Sequence, residues 1–167
     1  MANSTIIGKI KRQIIKNFIK DVDIVNAIDS PDVTNFEQLI GTHIFDYNQD
    51  PNTLNKVITF ITIQVHIPEN RYAKDDVFVS PIIEVWIISH EKHMIVNNIP
   101  KVKENRNDYL SVLIDKKING KFNYGIGKLV LVSNIEGSFQ QDYLFRKMTF
   151  RATDLNNSMC EDEELDD

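Results

Sequence analysis

Cysteine is nearly absent: the 167 residues contain one, Cys160. A lone cysteine builds no internal disulfide framework, so a reducing, intracellular setting is expected. No apolar run approaches the roughly 18 residues that span a bilayer. The first residues lack an apolar block followed by a small-residue cleavage site, so no secretory signal is expected. The signatures of common chemistries are missing as well. There is no Walker loop, no dinucleotide fingerprint, no G-x-S-x-G elbow and no H-E-x-x-H helix. Gly125-x-Gly127 has no following helix and no suitably placed lysine, and reads as a turn. His90 and His93 flank Glu91-Lys92, but zinc wants three or four ligands, so both read as solvent-facing turn histidines. His43 is isolated, and His66 reads as a packing residue on a strand. Asp75 and Asp76 are adjacent, and in a strand would point to opposite sides. Nothing local lowers the thiol pKa of Cys160. No enzyme, cofactor or metal is expected.

What is present suits one globular domain: 42% of residues are hydrophobic and 26% charged. The net charge of -5 is mostly a terminal property. Residues 161–167 hold six acids and no base, and without them 19 cations face 18 anions. The expected organisation is a single α+β domain over 1–156 and an acidic disordered tail over 157–167. The tail serves solubility or docking against a basic partner. The opposite bias opens the chain, where Lys9, Lys11, Arg12, Lys16 and Lys20 precede the first acid, Asp21. The wet face of a helix is the simpler reading, and contact with phosphate or an acidic partner the sharper one. No interleaved aromatics accompany these cations, so a sequence-specific nucleic-acid reader is not indicated.

Ile7, Ile10, Ile14 and Phe18 recur at helical spacing, with the stripe extending through Ile24, Val25 and Ile28 until Ser30-Pro31 stops it. Residues 57–67 alternate with high β-branched content, and Pro68 ends that strand. A second strand covers 81–90, apolar on both sides and so expected in the middle of the sheet. Trp86 on it reads as a core or interface anchor with one N–H needing a partner. If it is an anchor, replacing it with alanine is expected to cost about 3–5 kcal/mol, and a loss under about 1 kcal/mol would mean that it is largely exposed in the monomer. Asn107 or Asp108 caps a second helix through Ile118, stopped at Asn119-Gly120. A strand over 128–133, a turn around Gly137 and a strand over 143–153 complete the order. Arg146, Lys147 and Arg151 give the last strand a wetter character, which favours an edge or interface position. The expected fold is α+β: a mostly antiparallel four- to five-stranded sheet with two main helices packed on one face. Two helices leave one apolar sheet face bare, which favours self-association.

Several phrases carry a resemblance. They are Leu39-Ile40-Gly41-Thr42-His43-Ile44-Phe45, Val85-Trp86-Ile87-Ile88-Ser89-His90, Arg106-Asn107-Asp108-Tyr109-Leu110-Ser111 and Phe145-Arg146-Lys147-Met148-Thr149-Phe150. With the element order over residues 5–153, the chain resembles phage tail terminators and the related head–tail joining proteins. The resemblance implies a homo-oligomeric ring, usually of six copies, at the tail–head interface of the virion, assembled in the bacterial host cytoplasm. Its partners would be the tail tube protein and the head–tail connector, with no membrane and no chemistry involved. The contacts it implies are the loop with Asn70, Arg71, Tyr72 and Lys74, the hairpin turn with Phe139 and Gln140, and the basic helix with Lys9, Lys11, Arg12 and Lys16. Trp86, Arg146 and Arg151 complete the interface candidates. The alternatives are a head-side connector or stopper ring, and a small non-catalytic binding module with an acidic docking tail.

Overall fold

The computed structural model describes residues 5–54, 56–68, 81–139 and 142–152. It begins with helix α1, Thr5–Ile19, which buries Ile10, Ile14 and Phe18 along one stripe. The apolar pattern continues past Ile19, but the helix does not. Asp21 takes an extended backbone, and its carboxylate accepts from the amides of Asp23 and Ile24 at 3.0 and 3.1 Å. That cap starts a separate helix, α2, Val22–Ile28. Strand β1 (Ile44–Phe45) and the short helix α3 (Pro51–Leu54) lead into strands β2 (Thr59–His66) and β3 (Ile82–His90). Helix α4 (Arg106–Ile118) and strands β4 (Leu129–Phe139) and β5 (Tyr143–Ala152) follow. The fold is α+β as expected, but α1, α2 and α4 make three substantial helices where the sequence suggested two.

The sheet order is β1-β2-β3-β5-β4, with β1 parallel to β2 and every other pair antiparallel. As expected, β3 lies in the middle. Ile10, Ile14 and Phe18 of α1, Ile24 and Ile28 of α2, and Leu110, Ile114 and Ile118 of α4 share one core with Ile61, Ile63, Ile83, Val85, Ile87, Met148 and Phe150. These three helices therefore cover one sheet face, while Leu54 of α3 packs on the other.

Two readings of the last hairpin are corrected. Strand β5 is interior, between β3 and β4, and the edge belongs to β4. The cations that suggested an edge are neutralised in place: Arg146 pairs with Asp108 and Glu136, and Lys147 with Glu84 at 2.6 Å. Gly137 is not a turn residue either, because β4 runs through it and pairs it with Phe145. A Cβ there would stand 2.8 Å from Cζ of the Phe145 ring, so glycine marks close approach inside a strand. The cap of α4 also differs. Asn105 accepts from the Asp108 amide at 2.9 Å, while Asn107 turns inward and is buried.

Candidate interaction surface

Side chains alternate across a strand, so the register defines a second sheet face opposite the helices. It carries Phe60 and Thr62 from β2, Glu84, Trp86 and Ile88 from β3, and Phe145, Lys147 and Arg151 from β5. At one end Phe45, Phe60, Ile88 and Tyr143 form a small buried cluster, with Leu54, Trp86, Phe139 and Phe145 packed against it. Trp86 lies 5.0 Å from the Phe145 ring centroid, and the Lys147 ammonium stands 5.0 Å over the indole. Trp86 is only partly buried. Its Nε1 and the neighbouring Thr62 Oγ1 are buried without a hydrogen-bond partner among the described residues.

This face ends at β4, where Ile135 is 53% exposed and Val132, at a bulge, is 52% exposed. Among the described residues, the outer edge of β4 is tied down only at its start. Leu131 N donates to Asn119 Oδ1, and Leu129 bonds to Gly120 and Lys121. Beyond that point no described strand pairs with it. A partly apolar face beside an open strand edge is the chemistry of a protein–protein contact.

The interface candidates do not form one site. Trp86, Phe139 and Arg151 share the second face, whereas Arg146 turns to the side of α4 and reaches Asp108. On α1, Lys9, Arg12 and Lys16 are exposed, and Lys11 donates to the Asp46 carbonyl at 2.5 Å. Asn70, Arg71, Tyr72, Lys74 and Gln140 lie outside the described residues, as do Asp75, Asp76, Cys160 and the acidic tail.

Sequence reasoning missed a polar cluster behind the sheet. Arg106, 1% exposed, donates to the carbonyls of His93, Ala27 and Ile95 at 2.6, 2.6 and 3.0 Å, and to Asp29 Oδ2 at 3.2 Å. Asn107 Nδ2 donates to the Leu144 carbonyl, which leaves its Oδ1 to accept from Ser89 at 2.7 Å. Ser89 therefore accepts from Thr59, and Thr59 accepts from Nδ1 of His93 at 2.8 Å. That chain fixes the tautomer of neutral His93. Asp29, His93 and Thr59 line up as carboxylate, imidazole and hydroxyl, but Thr59 is fully buried and engaged with Ser89, so it has no open path to a substrate. Among the described residues no group of three or more His, Cys, Asp or Glu is placed to hold a metal ion.

His93 is thus no solvent-facing turn residue, and His66, expected as packing, is the exposed one, 3.6 Å from Glu84. His43 and His93 both border a cavity of about 620 Å³, together with Asp29, Asp32 and Lys56. Burial lowers the His93 pKa, and Arg106 adds to this against the pull of Asp29. Burial also lowers His43, with Lys56 and His93 adding and Asp32 opposing. Both folded values lie below the unfolded one, so the unfolded chain binds more protons as pH falls. The stability from keeping both rings neutral is complete above about pH 6.5 and is lost as pH drops toward the folded values. The urea midpoint should fall between neutral and mildly acid pH, and the His43→Gln, His93→Gln double variant should flatten that fall. A midpoint that holds steady over that window would show that the rings charge without penalty.

The model of one protein family, YomW, matches residues 12–152. The chain belongs to the YomW family. The matched span runs from within α1 to the last residue of β5, so this YomW chain carries the family's pattern through every helix and strand described above. The YomW family is phage-associated, which agrees with the phage structural resemblance read from the sequence. Neither a curated protein nor a solved structure matches the chain.

Proposed function

We propose that this chain is a structural virion protein of a tailed phage that self-associates into a ring, ends the tail tube and joins it to the head connector. The observation that carries the reading is the partly exposed sheet face opposite α1, α2 and α4, beside the edge of β4 that no described strand pairs. Ile135, Val132, Trp86, Phe139 and Phe145 offer an apolar surface there, and a second copy is the occupant that closed symmetry supplies. Family membership supports the phage setting. In this reading Trp86, Phe139 and Arg151 meet the neighbouring copy. The cations of α1, with Asn70, Arg71, Tyr72, Lys74 and Gln140, meet the tube or the connector. Residues 1–156 act as one domain, and 157–167 as an appended acidic segment. The protein works by shape and contact, with no reaction step.

Light scattering coupled to size exclusion over a range of concentrations, followed by negative-stain imaging, tests this. The expected result is a ring near six times 19.3 kDa, alone or after addition of purified tail tubes. Binding to tube ends supports the terminator role, and binding only to the head-side assembly would move the ring to the connector. A chain that stays monomeric with both would overturn the reading.

A further inference from the structure

An open cleft of about 600 Å³ lies where the α1–α2 junction meets the end of α4. Four lysines line it, Lys20, Lys116, Lys117 and Lys121, against two aspartates, Asp21 and Asp23. Lys117 is committed to Asp21 at 2.5 Å. Lys20, Lys116 and Lys121 are exposed and have no ion pair among the described residues. The α4 C-terminus accounts for cations at Lys116 and Lys117, but not for Lys20 and Lys121, which reach the same cleft from other segments.

The chain leaves the described fold beside this cleft. Ala152, the last residue of β5, is paired with Leu129. Leu129 in turn donates to the Lys121 carbonyl at 2.9 Å and accepts from the Gly120 amide at 2.7 Å. Two ladder steps, about 10 Å, therefore separate Ala152 from the backbone that carries Lys121. Eight residues, 153–160, separate Ala152 from the acidic segment, and eight residues span at most about 28 Å. The segment beyond them carries six acids and no base.

We propose that the acidic segment 161–167 docks in the cleft formed by Lys20, Lys116 and Lys121 of its own chain. The sign of the charge, the reach of the tether and the point of exit agree. Each exposed ion pair is weak and screened by salt. The tether raises the local concentration of the acids, and several pairs act together. The contact is consequently reversible, and a more strongly anionic partner displaces it. This inference stands apart from ring formation, because it concerns one chain and a surface on the helix side of the sheet.

Zero-length carbodiimide coupling of the full chain, read by peptide mass spectrometry, tests it. Carboxylates of 161–167 should couple to Lys20, Lys116 and Lys121 several-fold more than to Lys56 and Lys92, which lie at the other end of the sheet. Molar salt should abolish the preference. The Lys116→Glu, Lys121→Glu double variant, on the exposed surface, should reduce tail coupling to Lys20 several-fold. Coupling spread evenly over the exposed lysines overturns the proposal, as does a preference that the double variant leaves intact. Coupling found mainly between heavy and light chains in an isotope-mixed sample overturns docking within one chain.

Discussion

Replacing Arg106 with alanine should cost about 3–5 kcal/mol of folding stability, because it empties a buried site and strips three backbone carbonyls of their donor. The guanidinium is 1% exposed and donates to three backbone carbonyls from two separate stretches, Ala27 at the end of α2 and His93 and Ile95 after β3. Asp29, just past α2, takes a fourth bond. Burial lowers the Arg106 pKa, and Asp29 pulls it back up by proximity and hydrogen bonding. Removing the side chain leaves a cavity, an unpaired carboxylate and three carbonyls without this donor, and loosens α2 from the start of α4. Lysine does not rescue, since a point ammonium cannot reproduce the planar fork. Equilibrium urea unfolding of Arg106→Ala and Arg106→Lys is the check. A loss under about 1 kcal/mol in both would mean that the carbonyls rehydrate freely, and that Arg106 fills space instead of holding segments together. Asp29→Asn, which keeps the fork and its carbonyl bonds, should cost less than either.

The parts of the fold that were legible in the sequence are those governed by periodicity. The α1 stripe, the β2 and β3 alternation and the central place of β3 all follow from apolar spacing that no tertiary contact had to override. The misreadings share a different cause. The stripe from Ile7 to Ile28 is continuous, and the break at Asp21 is made by a side-chain cap that periodicity does not register. Gly137 was read as a turn because glycine punctuates turns, but its lack of a Cβ serves a ring on the neighbouring strand. Arg146 and Lys147 signalled an edge because charges avoid sheet interiors, yet their partners come from distant α4 and β3 and from the neighbouring strand β4. Arg106 was hidden for the same reason. The only available signal was a cation at the first position of a helix, where the dipole disfavours one. The lysine cleft was equally hidden, since Lys20 and Lys121 lie about a hundred residues apart and line one cleft only once α2 packs on α4.

The two sheet faces should answer one kind of truncation differently. Phe150→Ala should cost about 3–5 kcal/mol, as large-to-small changes at a buried aromatic do. Phe150 is fully buried, paired with Ile83 on β3 and Leu131 on β4 beneath the helices. Its loss opens a cavity that three helices cannot collapse, and it should leave self-association unchanged wherever the variant folds. Trp86 is the contrast. It lies on the face opposite the three large helices and is only partly buried, so Trp86→Ala should fall below the roughly 3–5 kcal/mol range expected for full burial. In the proposed ring the remaining worth of the indole lies in the contact between copies, where large aromatics carry much of the binding energy. Trp86→Ala should therefore fold, keep its helices and shift the ring toward monomer, while Phe150→Ala loses stability first. Urea unfolding and light scattering on both variants separate the two behaviours. If Trp86→Ala costs as much as Phe150→Ala and the ring persists, the second face is an internal core, and the neighbouring copy must meet this chain elsewhere.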